Sequence, residues 1–145
     1  MSRYLLDTNV FVYARGRDHA YREPCRSVLR AARSGHIQLE ASVEVVQEFA
    51  HLLLRRAVDR AQALEEAAEV RGQCRLHAFD DDVLQRSLWL LGRYPDLGAR
   101  DAVHAATALE SGVGRIVSVD RVFDVLSELH RIDPAAAGAP WARQE

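Results

Sequence analysis

Short apolar runs alternate along this chain with longer stretches in which apolar residues return every third or fourth position. The first kind predicts strands, the second helices that bury one face. Tyr4–Asp7 reads as a short buried strand. Helix is expected over Asn9–Arg15 and again over His19–Ser34, where Cys25, Val28, Leu29 and Ala32 share a face and Gly35 ends the run. Ile37–Ala41 is a second strand, and Ser42 suits the N-cap of the helix that follows, with Val45, Val46, Phe49, Leu52 and Leu53 as its apolar face. Asp59 suits the cap of another, in which Ala61, Leu64, Ala68 and Gln73 alternate with Glu65, Glu66 and Glu69. Leu76–Phe79 is a short strand or connector. Asp80-Asp81-Asp82 then opens a helix carrying Val83, Leu84, Leu88, Leu90 and Leu91. Pro95 and Gly98 mark a loop before a small-residue helix over Arg100–Ser111, stopped by Gly112. Arg115–Val119 is a strand ending on Asp120, followed by a short helix over Asp120–Leu129 and a last strand over Arg131–Asp133. The Ala/Pro/Gly-rich segment 134–145 is expected to be loose, leaving 1–133 as one domain.

Strands alternating with amphipathic helices predict an α/β fold with a mainly parallel sheet. Such sheets bind ligands beyond the carboxyl ends of their strands. Two of the expected strands end there in an acid, Asp7 and Asp120.

Composition narrows the chemistry. The 145 residues are 48% hydrophobic and 28% charged, ordinary for a globular domain, and no apolar run approaches the roughly 20 residues of a membrane span. The N-terminus lacks a signal-peptide pattern, so a cytoplasmic protein is expected. Cys25 and Cys74 have no metal-site spacing and read as free thiols. A net charge of -2 gives no global attraction to nucleic acid. All 19 cationic Lys+Arg positions are arginine. Without lysine there is no P-loop and no Schiff-base chemistry.

Four acids interrupt core-like patterns: Asp7 after Tyr-Leu-Leu, Glu48 within Val-Val-Gln-Glu-Phe-Ala, Asp101 at the head of Arg-Asp-Ala-Val-His, and Asp120 after Ile-Val-Ser-Val. Gathered in one cleft, they would raise one another's pKa unless a divalent cation lay between them. Oxygen ligands select Mg2+ or Mn2+, which serve phosphodiester hydrolysis. Each acid also has a local explanation. Asp7 and Asp120 suit N-caps, and Asp101 suits the first turn of a helix.

The segments Leu-Leu-Asp-Thr-Asn-Val-Phe-Val-Tyr-Ala, Ser-x5-Glu at Ser42–Glu48, Arg-Asp-Ala-Val-His-Ala-Ala-Thr-Ala-Leu and Ile-Val-Ser-Val-Asp-Arg-Val-Phe-Asp occur in this order from Leu5 to about Asp133. Together they resemble PIN-domain ribonucleases, most closely the VapC-type toxins of bacterial toxin–antitoxin pairs. The resemblance implies a three-layer α/β/α PIN-like fold and a metal-dependent endoribonuclease. It makes Asp7, Glu48, Asp101 and Asp120 the catalytic acids and the holders of Mg2+ (or Mn2+). Asn9 would orient water or a phosphate oxygen, and Ser118 stands where the family often has threonine. Asp124 would support the ligands from behind them. Glu44, one turn before Glu48, is the rival for the middle position. A cognate antitoxin is also implied, covering the cleft with a peptide and setting an arginine against the acids, as is a homodimer.

Arg100, beside Asp101, is the arginine expected to touch substrate RNA. His104 shares a face with Asp101 and reads as packed near the cleft, with a metal or proton-donor role as the alternative. Arg15, Arg17, Arg22 and Arg26, and Arg55 with Arg56, suit solvated helix faces or phosphate contacts. Trp89 suits core or interface packing, and Trp141 a docking contact. Two other functions compete. One is a non-catalytic PIN-like module that holds RNA or protein. The other is a phosphatase using Asp7 as nucleophile, against which the missing lysine and Asn9 in place of a second acid both argue.

Overall fold

A computed structural model describes residues 1–56 and 59–142. Five strands, β1 (Ser2–Leu6), β2 (Ile37–Ser42), β3 (Arg75–His77), β4 (Arg115–Val117) and β5 (His130–Ile132), form one sheet in the order β3-β2-β1-β4-β5. Every adjacent pair is parallel. The helices are α1 (Thr8–Arg15), α2 (Arg22–Arg33), α3 (Val43–Arg55), α4 (Arg60–Gln73), α5 (Asp81–Arg93) and α6 (Ala99–Glu110).

The two-residue period of a strand divides the core between the two faces of the sheet. Tyr4 and Leu6 of β1, Leu39 and Ala41 of β2 and Val117 of β4 pack with Val10, Phe11, Val28, Val45, Phe49 and Val70 from α1–α4. Leu5 and Ile116 face the other way, onto Val83 and Leu90 of α5 and Ala102, Ala105 and Ala106 of α6. The alanines let α6 approach the sheet closely. The α/β/α architecture expected from the sequence is the one observed, with a fully parallel sheet.

Local signals act where the sequence placed them. The carboxylates of Asp59 and Asp80 accept from the backbone N–H of Gln62 and Val83, capping α4 and α5, and Ser42 caps α3 through Glu44 N. Gly35 and Gly112 take φ of 77° and 76°, the left-handed geometry that ends α2 and α6.

Five expectations need correction. The face of α4 that meets the core is Ala63, Ala67 and Val70, while Ala61, Leu64 and Ala68 are exposed. The helix expected over Asp120–Leu129 is only a 3-10 turn over Arg121–Val125. Its buried residues Phe123, Leu126 and Leu129 recur every three positions, and successive i→i+3 bonds link them, Leu126 N to Phe123 O and Leu129 N to Leu126 O. A period of three suits 3-10 turns, not an α-helix. Strand β4 stops at Val117, so Ser118 and Asp120 lie just beyond its carboxyl end. Helix α2 starts at Arg22, not His19; the His19 ring accepts from Tyr21 N in the connection before it. The segment from Pro134 to Ala142 is not loose. Trp141 is 5% exposed, meets Tyr4 edge-to-face at 5.3 Å, and donates from Nε1 to Pro134 O at 2.8 Å. An indole buried with its N–H satisfied anchors a segment whose composition alone suggested disorder. Residues 143–145 of that expectation lie outside the described residues.

Candidate active site

Asp7 follows β1 and caps α1, at the carboxyl edge of the central strand. Its backbone N–H donates to Val117 O at 3.1 Å, which draws the ends of β1 and β4 together. The residue is 6% exposed, and both carboxylate oxygens accept hydrogen bonds. Oδ1 accepts from Thr8 N at 2.7 Å, and Oδ2 accepts from Ser118 Oγ at 2.7 Å and Asn9 Nδ2 at 3.1 Å. Asn9 Nδ2 also reaches Ser118 Oγ at 3.1 Å, while its Oδ1 accepts weakly from Val119 N at 3.4 Å. Ser118 Oγ in turn accepts from Asp120 N at 3.0 Å. Asn9 and Ser118 thus orient Asp7 and hold the Asp120 turn beside it.

Glu48, on α3, accepts from Thr8 Oγ1 at 2.6 Å. Thr8 thereby joins α1 to α3, and it selects Glu48 over Glu44 as the acid tied to this group. His104 of α6 is 1% exposed; its Nε2 stands 3.5 Å from Glu48 Oε1 and 3.9 Å from Asp7 Oδ1, ion-pair separations too long for sound hydrogen bonds. Neither ring nitrogen has a hydrogen-bond partner. The histidine is packed into the cleft wall, with the carboxylates as its polar neighbours.

Electrostatics tie the four acids together. Burial pushes Asp101 up to about 6, and the charges of Asp7 and Asp120 add to the effect. Burial also raises Asp7, with His104 and the Ser118 and Thr8 bonds opposing it. Glu48 resists burial and is held below its ordinary value by His104, Thr8 and the charge of Arg100. Burial likewise works against protonation of His104, but the surrounding carboxylates outweigh it and raise its pKa. Asp120 is exposed and caps the 3-10 turn through Val122 N at 3.0 Å. The capping explanations of Asp7 and Asp120 therefore hold, and the charges of both also act on Asp101.

Asp124 does not join this group. It forms a bidentate pair with Arg131 at 2.7 and 3.2 Å, because the 3-10 turn aims it at β5. Arg131 also donates to Ser118 O at 2.9 Å, so the pair steadies the backbone behind Ser118. Arg100 is exposed and free to meet solvent or a ligand. Sequence reasoning missed Arg131, whose role depends on the pairing of β4 with β5.

It also missed Glu40, an acid that is 0% exposed. Glu40 receives Arg3 Nη2 at 2.9 Å and lies 2.6 Å from His77 Nε2, joining β1, β2 and β3. Alternation in Ile-Gln-Leu-Glu-Ala-Ser put Glu40 opposite Leu39 and Ala41, but only the strand order reveals its partners.

The PIN domain family's sequence profile matches residues 4–129. Ribonuclease VapC7 of Mycobacterium tuberculosis is 38% identical over 136 residues, 92% of this chain and 93% of its own. Ribonuclease VapC23 of the same species is 35% identical over 116 residues, 79% of this chain and 90% of its own. Among solved structures, VapBC2 from Rickettsia felis, bound to a DNA fragment from its promoter, superposes with a TM-score of 0.71 at 16% identity, covering 90% of this chain and 97% of that one. Mycobacterium tuberculosis VapC20, a sarcin–ricin loop cleaving toxin, gives 0.68 at 20% identity, covering 85% and 93%. A fold with Asp7 at the edge of its central strand, matched by the family profile and by relatives along nearly its whole length, identifies this chain as a member of the PIN-domain family, with VapC ribonucleases as its relatives.

Proposed function

We propose that this chain is a Mg2+- or Mn2+-dependent endoribonuclease and the toxin of a toxin–antitoxin pair. One observation carries the reading: Asp7 and Asp120 beyond β1 and β4, Glu48 on α3 and Asp101 on α6 act on one another at the carboxyl edge of the sheet. The donor set fits the ion. Every candidate ligand is a carboxylate oxygen, the choice of a hard cation. Among the described residues no three His, Cys, Asp or Glu side chains already form a cage, so the fit rests on donor chemistry and on acids that repel one another until a cation joins them.

Asp7, Asp101, Asp120 and Glu48 would hold the ion, which supplies acidified water and neutralises charge on the phosphate. Asn9 and Ser118 keep Asp7 in one orientation, and Asn9 would orient water or a phosphate oxygen only by exchanging its bond to Ser118 for one to that ligand. Arg100 meets substrate phosphate from the exposed start of α6. Hydrolysis leaves a 3′-hydroxyl and a 5′-phosphate. Single-stranded RNA suits the site better than a duplex, whose deep groove hides its base edges. A cognate antitoxin sets a guanidinium against the acids, and the toxin is a homodimer.

The test is cleavage of a mixed RNA pool, with cut ends mapped by sequencing, in Mg2+ or Mn2+ and in chelator. Discrete cuts are expected in metal, lost in chelator, and reduced more than about 100-fold in Asp7→Asn, beyond the effect of a supporting residue. Cutting that persists in Asp7→Asn would overturn the assignment. Absence of both cleavage and metal binding would favour the non-catalytic module.

A further inference from the structure

A second cluster at the same end of the molecule takes no part in the acid site. Tyr13, on α1, lies one helical turn beyond Asn9 and on the same face, about 6 Å further along the axis. Its ring centroid is 4.8 Å from that of His19 and 5.6 Å from that of Tyr21. His19 and Tyr21 stack at 15° with centroids 6.0 Å apart. The rings are fixed in place. His19 Nδ1 accepts from Tyr21 N at 3.1 Å, and Tyr21 donates its hydroxyl to Asp133 at 2.8 Å. Asp133 directly follows β5, so this bond ties the cluster to the carboxyl edge of the sheet, where Asp7 and Asp120 lie. Arg121, next to Asp120 in the chain, acts electrostatically on the Tyr21 phenol.

A hollow of about 940 Å3 opens beside these rings, lined by Tyr13 and His19, by Arg15, Arg17 and Arg56, and by one acid, Asp18. Arg15 is paired with Glu66 at 2.7 Å. Among the described residues, no carboxylate lies within ion-pairing distance of Arg17 or Arg56, and both are exposed. Aromatic faces beside unneutralised guanidinium groups are what single-stranded nucleic acid recognises: bases stack on the rings while phosphates meet the arginines. The spacing is also suitable. Tyr13 stands six residues beyond Asp7, about 9 Å along a helix, the reach of one or two nucleotides.

We propose that Tyr13 and His19, held by Tyr21 and flanked by Arg17 and Arg56, form a substrate subsite that stacks an unpaired base one or two nucleotides from the bond cleaved at Asp7. The subsite rests on the ribonuclease reading and deepens it. It positions substrate and touches no reacting atom.

Two readouts test it. The first is fluorescence anisotropy of a labelled short single-stranded RNA of mixed sequence, bound to Asp7→Asn carrying Tyr13→Leu, Tyr13→Phe or His19→Ala. The second is the KM and kcat of the same ring variants in the otherwise unaltered protein. Tyr13→Leu and His19→Ala are expected to raise Kd and KM about tenfold with kcat little changed, while Tyr13→Phe, which keeps the ring, stays near the parent. Arg17→Ala should lower the salt dependence of binding by about one phosphate contact. His19 is exposed, so His19→Ala keeps the test valid should Tyr13→Leu fold poorly. Cleavage and RNA binding that are the same in Tyr13→Leu, His19→Ala and the parent would overturn the subsite and leave the ribonuclease reading intact. If instead the parent protein cuts nothing, the ribonuclease reading fails. The anisotropy arm then still decides whether the rings bind RNA. Ring variants that bind RNA normally but change the mass in solution would assign the rings to a protein contact and overturn the proposal.

Discussion

Asp7 is held by one backbone and two side-chain donors before any ligand arrives, and this shapes what its neighbours do. Ser118 serves two roles, donating to Asp7 and accepting from Asp120 N. Ser118→Ala leaves a buried carboxylate oxygen and a backbone N–H each short of a partner, at a cost of about 1–3 kcal/mol. Urea denaturation should show that loss, and Ser118→Thr should recover most of it. The four acids were legible as residues because each breaks an apolar pattern in which an unpaired charge would be too costly. Glu40 obeys the same rule and was still missed, because it alternates with apolar residues as an exposed strand position would. The difference lies in partners from β1 and β3, which alternation cannot show. Asp124 was named from the resemblance alone; the 3-10 turn aims it at Arg131, so it reaches the acids only indirectly, through the Arg131 bond to Ser118 O.

At the scale of elements, the Arg3–Glu40–His77 group fastens the three strands on one side of the sheet. Burial opposes the charge on Glu40, but bonds from Arg3 and His77 outweigh it and hold the carboxyl below its usual value. A carboxyl lowered in the folded state adds stability that is present above its unfolded pKa, about 4.3, and is lost as pH falls through the folded value. The urea midpoint of the wild type should therefore fall as pH is lowered from about 5 toward 3. Glu40→Gln should be less stable near neutrality and should flatten that part of the profile. An unchanged acid limb in Glu40→Gln would assign the loss to other carboxylates. Helix starts were readable because Ser42, Asp59 and Asp80 act through their own side chains over two or three residues. The ends of β4 and the fate of 120–129 were not, because they depend on which strand lies alongside and on a three-residue apolar period that resembles a short helix.

Across the whole molecule, an α/β fold with a mainly parallel sheet followed from alternating strands and amphipathic helices, and its three layers from the family resemblance. The strand order, and with it the meeting of Asp7 and Ser118, could not be read from local periodicity. Nor could the closure at the far end of the chain, where Trp141 returns to the core beside Tyr4 of β1. Trp141→Ala should cost about 3–5 kcal/mol, as expected for a buried tryptophan, and thermal unfolding of that variant should begin well below the parent. A drop no larger than that of a surface substitution would mean that the segment adds little to the fold.

The bond between Ser118 and Asp7 spans 111 residues of sequence. On a ribosome, β1 waits through six helices and two more strands before β4 can pair with it. Until then Asp7 has neither the Ser118 hydroxyl nor Asp120 beside it. A nascent chain released before that point carries Asp7, Glu48 and Asp101 but neither Ser118 nor Asp120. The parallel sheet thus acts as a timer: Asp7 meets Ser118 and Asp120 only after β4 has been synthesised and has paired with β1.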